Sequence, residues 1–167
     1  LIPANTSSKR EYIPIGFFDK NSVAGNSCLI IPGKELSIFS ILNSSLHMTW
    51  VKNICGRLKD DFRYSIEVVY NNFPFIRLDT TQKNSLIKFG EVLLDLRNKV
   101  KLPLKTIYDP LTMPIEIRKL HNELNEYVNG LNSLGKNANE SEIMSKLFNL
   151  INKKKTVSVY KLCTYTF

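Results

Sequence analysis

The sequence predicts an α+β chain: a small mixed sheet with helices over residues 1–78, followed by a small helical domain over residues 79–155. Two observations carry this. Short β-branched and aromatic stretches interrupted by turn residues fill the first half, whereas apolar residues recurring every three or four positions dominate after Asp79. A chain of 167 residues is long enough to bury a core without staples. Its 43% hydrophobic content, with nine Phe and seven Tyr, argues for a globular protein.

In order along the chain, Lys9 to Asp19 (KREYIPIGFFD) has strand composition, with Pro14 directing it to an edge or bulge. A second strand is expected at Cys28 to Ile31, ending at Pro32-Gly33. Leu36, Phe39, Leu42, Leu46, Trp50 and Ile54 mark one face of a helix, broken near Asn43-Ser44-Ser45, where a serine can cap the second piece. Gly56 fits a helix stop, so CGRLKDDFRYS is expected to leave a helix as a loop or turn. Ile66, Val68 and Tyr70 then alternate as in a strand.

The later part predicts three helices. The first opens on a Thr80 cap and carries Leu86, Phe89, Leu93, Leu96 and Val100. The second opens on Pro114 and carries Ile117, Leu120, Leu124 and Val128; the third, Ser141 to Lys153, carries Ile143, Leu147, Leu150 and Ile151. YDPLTMPIE reads as a rigid connector between the first two, and Leu134 to Glu140 as a polar loop. Lys153 to Lys155 suit a helix C-terminus, and residues 156–167 have no clear role.

Composition narrows the function classes. No apolar run approaches the roughly 20 residues of a membrane helix. Cys28, Cys55 and Cys163 are scattered and lie far from His47 and His121, which suggests neither a disulfide framework nor a metal site but the thiols of a cytoplasmic protein. The opening LIPANTSS has neither an initiator Met nor a signal pattern, so the chain is expected to be part of a longer polypeptide. Phosphate-binding, nucleophile-elbow and metal motifs are missing, and no catalytic residue is assigned. YNNFPF at Tyr70 to Phe75 reads as a turn, and His47 and Trp50 as core residues.

The net charge of +8 favours a polyanionic partner. Arg57, Lys59, Arg63 and Tyr64 are donors suited to phosphate. Lys59 and Asp61 lie two apart and, on extended backbone, point the same way: a Lys on guanine's acceptors beside an Asp on cytosine's amine would read one G·C pair from both sides. The plain alternative is a salt-bridged surface turn, worth about 0 to 1 kcal/mol per pair.

REYIPIGFFD, NSSLHMTWVKNICGRLKDDFRYS, VYNNFPF and YDPLTMPIEIRKLHNELN, in this order, resemble the C-terminal part of MmeI-like type IIL restriction-modification enzymes over about residues 2–153. These are polypeptides that join a nuclease, an adenine methyltransferase and a target-recognition domain. The resemblance implies that residues 1–78 are the latter part of a target-recognition domain that binds double-stranded DNA. It also implies a parent using S-adenosylmethionine and magnesium, whose methyltransferase and nuclease domains lie outside this chain. Lys59 and Asp61 fall where the family is expected to place a paired base reader, with Arg63 reading a base or holding the backbone. The segment Asn5, Thr6, Ser7, Ser8, Lys9, Arg10 and the Asn26-Ser27 turn match further regions associated with recognition. A non-catalytic helical protein-interaction module is the competing expectation; it would make the charges of the CGRLKDDFRYS cluster irrelevant.

Overall fold

The computed structural model describes residues 1–18, 21–33 and 35–153. The expectations for Asp19, for Lys154 and Lys155 and for the segment 156–167 lie outside the described residues.

The strands are very short, and all pairings are antiparallel. β1 (Ile2–Pro3) pairs with β3 (Cys28–Leu29). β2 (Asn5–Thr6), β5 (Asp61–Arg63) and β4 (Gly56–Leu58) form a second sheet in that order. The strand expected from Lys9 does not form through Phe18. Instead Tyr12, Ile13 and Ile15 are buried in irregular backbone, and neighbouring groups satisfy their polar atoms one by one. Leu1 and Gly16 exchange N–H···O bonds of 2.7 and 3.1 Å, and the Ile15 carbonyl accepts from Arg97 at 2.7 Å. The partner of the Cys28 strand is thus the extreme N-terminal segment.

The broken helix appears as expected: α1 (Leu36–Leu42) and α2 (Ser45–Ile54) meet at Asn43-Ser44. The Ser44 hydroxyl oxygen accepts from the His47 amide and donates to the Ile41 carbonyl at 2.6 Å, serving both helix ends. Gly56 is not a left-handed helix stop; α2 ends on extended Cys55, and Gly56 begins β4. The alternation at Ile66, Val68 and Tyr70 misleads too. Ile66–Tyr70 is a π-helical turn capped by Ser65 that buries the adjacent pair Val69 and Tyr70. Asn72 closes it, its side-chain amide donating to the carbonyls of Glu67 and Val68.

α3 (Thr80–Val100) is capped one residue earlier than expected. The Asp79 carboxylate accepts from the Gln82 amide at 2.8 Å while the Gln82 side chain accepts from the Asp79 amide at 3.0 Å. Between α3 and the expected connector at Tyr108 lies a short helix the sequence did not suggest, α4 (Leu104–Ile107). Then come α5 (Ile115–Leu131), opened by Pro114, and α6 (Glu140–Asn152), with a second capping box between Asn139 and Glu142.

These helices do not stand apart from the sheets. α3 lies along α1, and α5 and α6 both touch α2. At Gly90 a Cβ would sit 3.0 Å from the Ser40 hydroxyl and 3.1 Å from the Leu36 carbonyl, so glycine permits this approach. The Ser40 hydroxyl completes it by donating to the Leu86 carbonyl at 2.6 Å. One apolar core runs from Ile2 and Phe62 through Trp50 and Leu93 to Leu124 and Leu147. Among the described residues, no helix is long and apolar enough to cross a membrane.

Candidate nucleic-acid interface

The stretch CGRLKDDFRYS forms a hairpin, β4 and β5 joined at Lys59-Asp60, that projects from the end of α2. Lys59 occupies the left-handed region (φ 54°), which bends the chain sharply. The register sorts the side chains. Thr6, Phe62 and Arg57 share one row, and Asn5, Arg63 and Gly56 share the adjacent row on the opposite face, followed by Asp61 opposite Leu58.

The inner row is buried or tied down. Phe62 and Thr6 are buried, and the Arg57 guanidinium lies 4.1 Å from the centre of the Phe62 ring. Arg57 also donates to the Asp60 carbonyl at 3.3 Å and the Lys52 carbonyl at 3.5 Å. It serves the hairpin's own shape. Tyr64 departs further from the expectation of a phosphate donor: it is 3% exposed, and its hydroxyl lies 3.1 Å from Nε2 of His47. Burial pushes its ionisation well above the usual range. The alternation that turns Phe62 inward carries Tyr64 inward as well.

The outer row is different. Asn5 and Arg63 in it, and Lys59 at the turn, are exposed, and their side chains make no hydrogen bond or ion pair with any described residue. Asp61 accepts from the Ser8 amide at 3.3 Å, which ties the polar N-terminal segment to the hairpin. Ser7 accepts from the Lys9 amide at 3.4 Å and Lys9 is exposed, whereas Arg10 is half-buried and donates to Thr6 at 3.3 Å. The exposed Asn26-Ser27 turn reaches the same segment, with the Ser27 carbonyl accepting from the Ala4 amide at 2.8 Å. The fold therefore gathers three separated stretches around one small sheet.

The premise for pairing Lys59 with Asp61 changes. Strand alternation does not relate them, because Lys59 sits in the turn and Asp61 on β5. Residues passed over in the sequence are Leu58, 52% exposed on the outer face, and Gly56 beside Arg63. Their signal was their place inside the charged cluster.

Both histidines belong to the interior. His47 is fully buried, with Nδ1 donating to the Leu42 carbonyl at 3.0 Å, which leaves Nε2 to accept from Tyr64. Burial lowers its pKa to about 4. His121 is arranged alike: Nδ1 donates to the Asn43 carbonyl at 3.0 Å and Nε2 accepts from Tyr108 at 2.9 Å. Burial, aided by the nearby Arg97 cation, lowers its pKa to about 3.

The family model for the MmeI target recognition domain matches residues 1–77, and that for the MmeI C-terminal domain matches residues 78–158. DNA methyltransferase A of Bacillus subtilis (strain 168) is 39% identical over 128 residues, a stretch that takes in 77% of this chain and 15% of that protein. A solved structure of the type IIL restriction-modification enzyme MmeI in complex with DNA has 35% identity and a TM-score of 0.86, covering 91% of this chain and 20% of that one. The chain thus spans about a fifth or less of these relatives' lengths. With the two matches adjoining at residues 77 and 78, the chain belongs to the MmeI family, its target recognition domain running directly into the C-terminal domain.

Proposed function

We propose that this chain reads DNA sequence for a larger methyltransferase and restriction enzyme, gripping the duplex with the outer face of the β2–β5–β4 sheet and its hairpin. One observation carries the reading. In a fold that resembles DNA-bound MmeI at a TM-score of 0.86, the side chains of Arg63 and Asn5 stand exposed and uncommitted on one small face, with that of Lys59 exposed at the turn of the same hairpin. Nearby Arg57 and Tyr64 are held by the protein itself. Uncommitted donors at a projecting turn are what base edges and phosphates require.

In this reading Lys59 addresses guanine O6 and N7, Asp61 accepts from a cytosine amine, and Arg63 and Asn5 read or hold positions alongside. Ser7, Ser8, Lys9 and the Asn26-Ser27 turn contact the flanking backbone. The chain supplies address: it places an adenine where the methyltransferase of the same polypeptide flips it out of the stack. S-adenosylmethionine and magnesium belong to those other parts.

The test is a map of methylated sites, by single-molecule sequencing, for the complete polypeptide and its Lys59→Glu, Asp61→Arg double variant. A change at one G·C position with methylation retained supports direct reading. An unaltered site overturns the assignment of this pair. Lost methylation with an unchanged melting temperature assigns the pair to holding DNA.

A further inference from the structure

Gly56 has no reason to be glycine within this protein. Its φ lies outside the left-handed region, so the backbone does not demand it. A Cβ built there meets nothing within 4 Å, so internal packing does not demand it either. It is an exposed strand residue, and glycine weakens strands. The contrast is Gly90, where a Cβ would meet the Ser40 and Leu36 atoms of α1 within 3.1 Å.

Its place supplies the reason. Gly56 is directly opposite Arg63 on β5, and Arg63 is directly opposite Asn5 on β2, so all three project from the same face. Arg63 and Asn5 are the two side-chain types that make bidentate contacts with guanine and adenine edges. Both side chains are exposed and make no hydrogen bond with any described residue. On the far side Gly56 leaves the row without a side chain. A strand glycine without an internal cause marks a surface that another molecule approaches closely.

Resting on the DNA-reading assignment above, we propose that Gly56 is a specificity-determining residue. It keeps one flank of Arg63 clear, so that a base-pair edge seats flat on the Asn5–Arg63 row. A side chain at position 56 would hold the duplex off the sheet and tilt the guanidinium out of the base plane. This reading site differs from that of Lys59 and Asp61, because its three residues pair directly across three neighbouring strands.

The experiment uses the complete polypeptide, its Gly56→Ala and Gly56→Val variants, and Gly56→Ala combined with Arg63→Ala. Each is melted, and each is used at low salt to enrich duplexes from a randomised double-stranded DNA pool. Affinity for the wild-type winner is then measured by fluorescence anisotropy. The expected result is a melting temperature unchanged or raised in both Gly56 variants, because their side chains enter open space. Affinity falls about tenfold or more, the size of one lost bidentate base contact, and selection weakens at one position. In the Arg63→Ala background the Gly56→Ala change has less than about a third of that effect, since the two act on one contact. Unchanged affinity and selection in both Gly56 variants overturn the proposal, as does an equal loss in both backgrounds or a loss that tracks a lowered melting temperature. If the complete wild-type polypeptide enriches no sequence, the DNA-reading assignment itself falls and Gly56 with it.

Discussion

Nη2 of Arg97, on α3, donates to Oδ1 of Asn43, between α1 and α2, at 2.8 Å. Arg97 is 5% exposed, and its further hydrogen bonds go to the Ile15 carbonyl and to the Tyr108 hydroxyl, which donates in turn to His121. None of these acceptors is a carboxylate. A buried cation here is held by neutral oxygens from three stretches of the chain, and burial lowers its pKa accordingly.

Arg97→Met should therefore destabilise the fold, because it strands the Ile15 carbonyl and the Asn43 side-chain oxygen in the interior. The expected loss is about 2 to 6 kcal/mol, at roughly 1 to 3 kcal/mol per orphaned group. Arg97→Lys should recover little of it, since an ammonium cannot span the same fork. Urea unfolding checks both; an unshifted midpoint for Arg97→Met would sink the argument.

Acid should weaken the fold through its histidines. Their folded-state pKa values, about 4 for His47 and about 3 for His121, lie below the ordinary 6.5, so the unfolded chain binds the extra protons. The stability they contribute is whole above pH 6.5 and drains away as pH falls through the folded values. Between pH 7 and pH 4 each should remove roughly 3 kcal/mol. NMR titration of the imidazole resonances is the direct check, and a midpoint near 6.5 for either ring would refute its buried, neutral state.

Gly90→Ala should lower the melting temperature even though alanine is worth about 1 kcal/mol more than glycine within a helix. The added methyl meets the Leu36 carbonyl at 3.1 Å, and backbone yields poorly. Overpacking of this kind costs about 1 to 3 kcal/mol, so the net change is a modest loss. A rise in melting temperature would show that α1 and α3 separate freely.

The three basic residues of the hairpin should behave differently. Arg57→Ala removes the stack on Phe62, at about 0.5 to 1 kcal/mol, and lowers stability. Arg63→Ala should leave stability alone but cost about 1 to 3 kcal/mol of binding to the preferred duplex and relax one position. Lys59→Ala should likewise leave stability alone, weaken binding to the preferred duplex by about 1 to 3 kcal/mol and relax a different position. Melting curves paired with anisotropy at several salt concentrations separate these patterns. Equal effects of Arg57→Ala and Arg63→Ala on binding would contradict the sorting of the two faces.

The helical half was legible because its signals are local. The stripe from Leu86 to Val100 and the Asn43-Ser44-Ser45 break each state their structure within a few residues. The strands were not, because pieces of two or three residues owe their existence to distant partners: Asn5 finds Arg63 58 positions along the chain. Ile66, Val68 and Tyr70 show how weak alternation is alone, since a wide helical turn buries Val69 and Tyr70 instead. The hairpin charges were found by composition, but which faced outward needed the register. Phe62 was the available clue, because an aromatic fixed inward sends Asp61 and Arg63 out and brings Tyr64 in.

The shared interior bears on inheritance. The boundary between the two family matches, at residues 77 and 78, cuts across the Arg97 network and the α1–α3 contact. Recombination at that point would ask two strangers to complete each other's buried polar groups. Exchange of the outward hairpin residues asks nothing of the interior, because Lys59 and Arg63 lean on no other side chain. Such a scaffold lets its outward hairpin residues change one at a time while the body beneath descends as one piece.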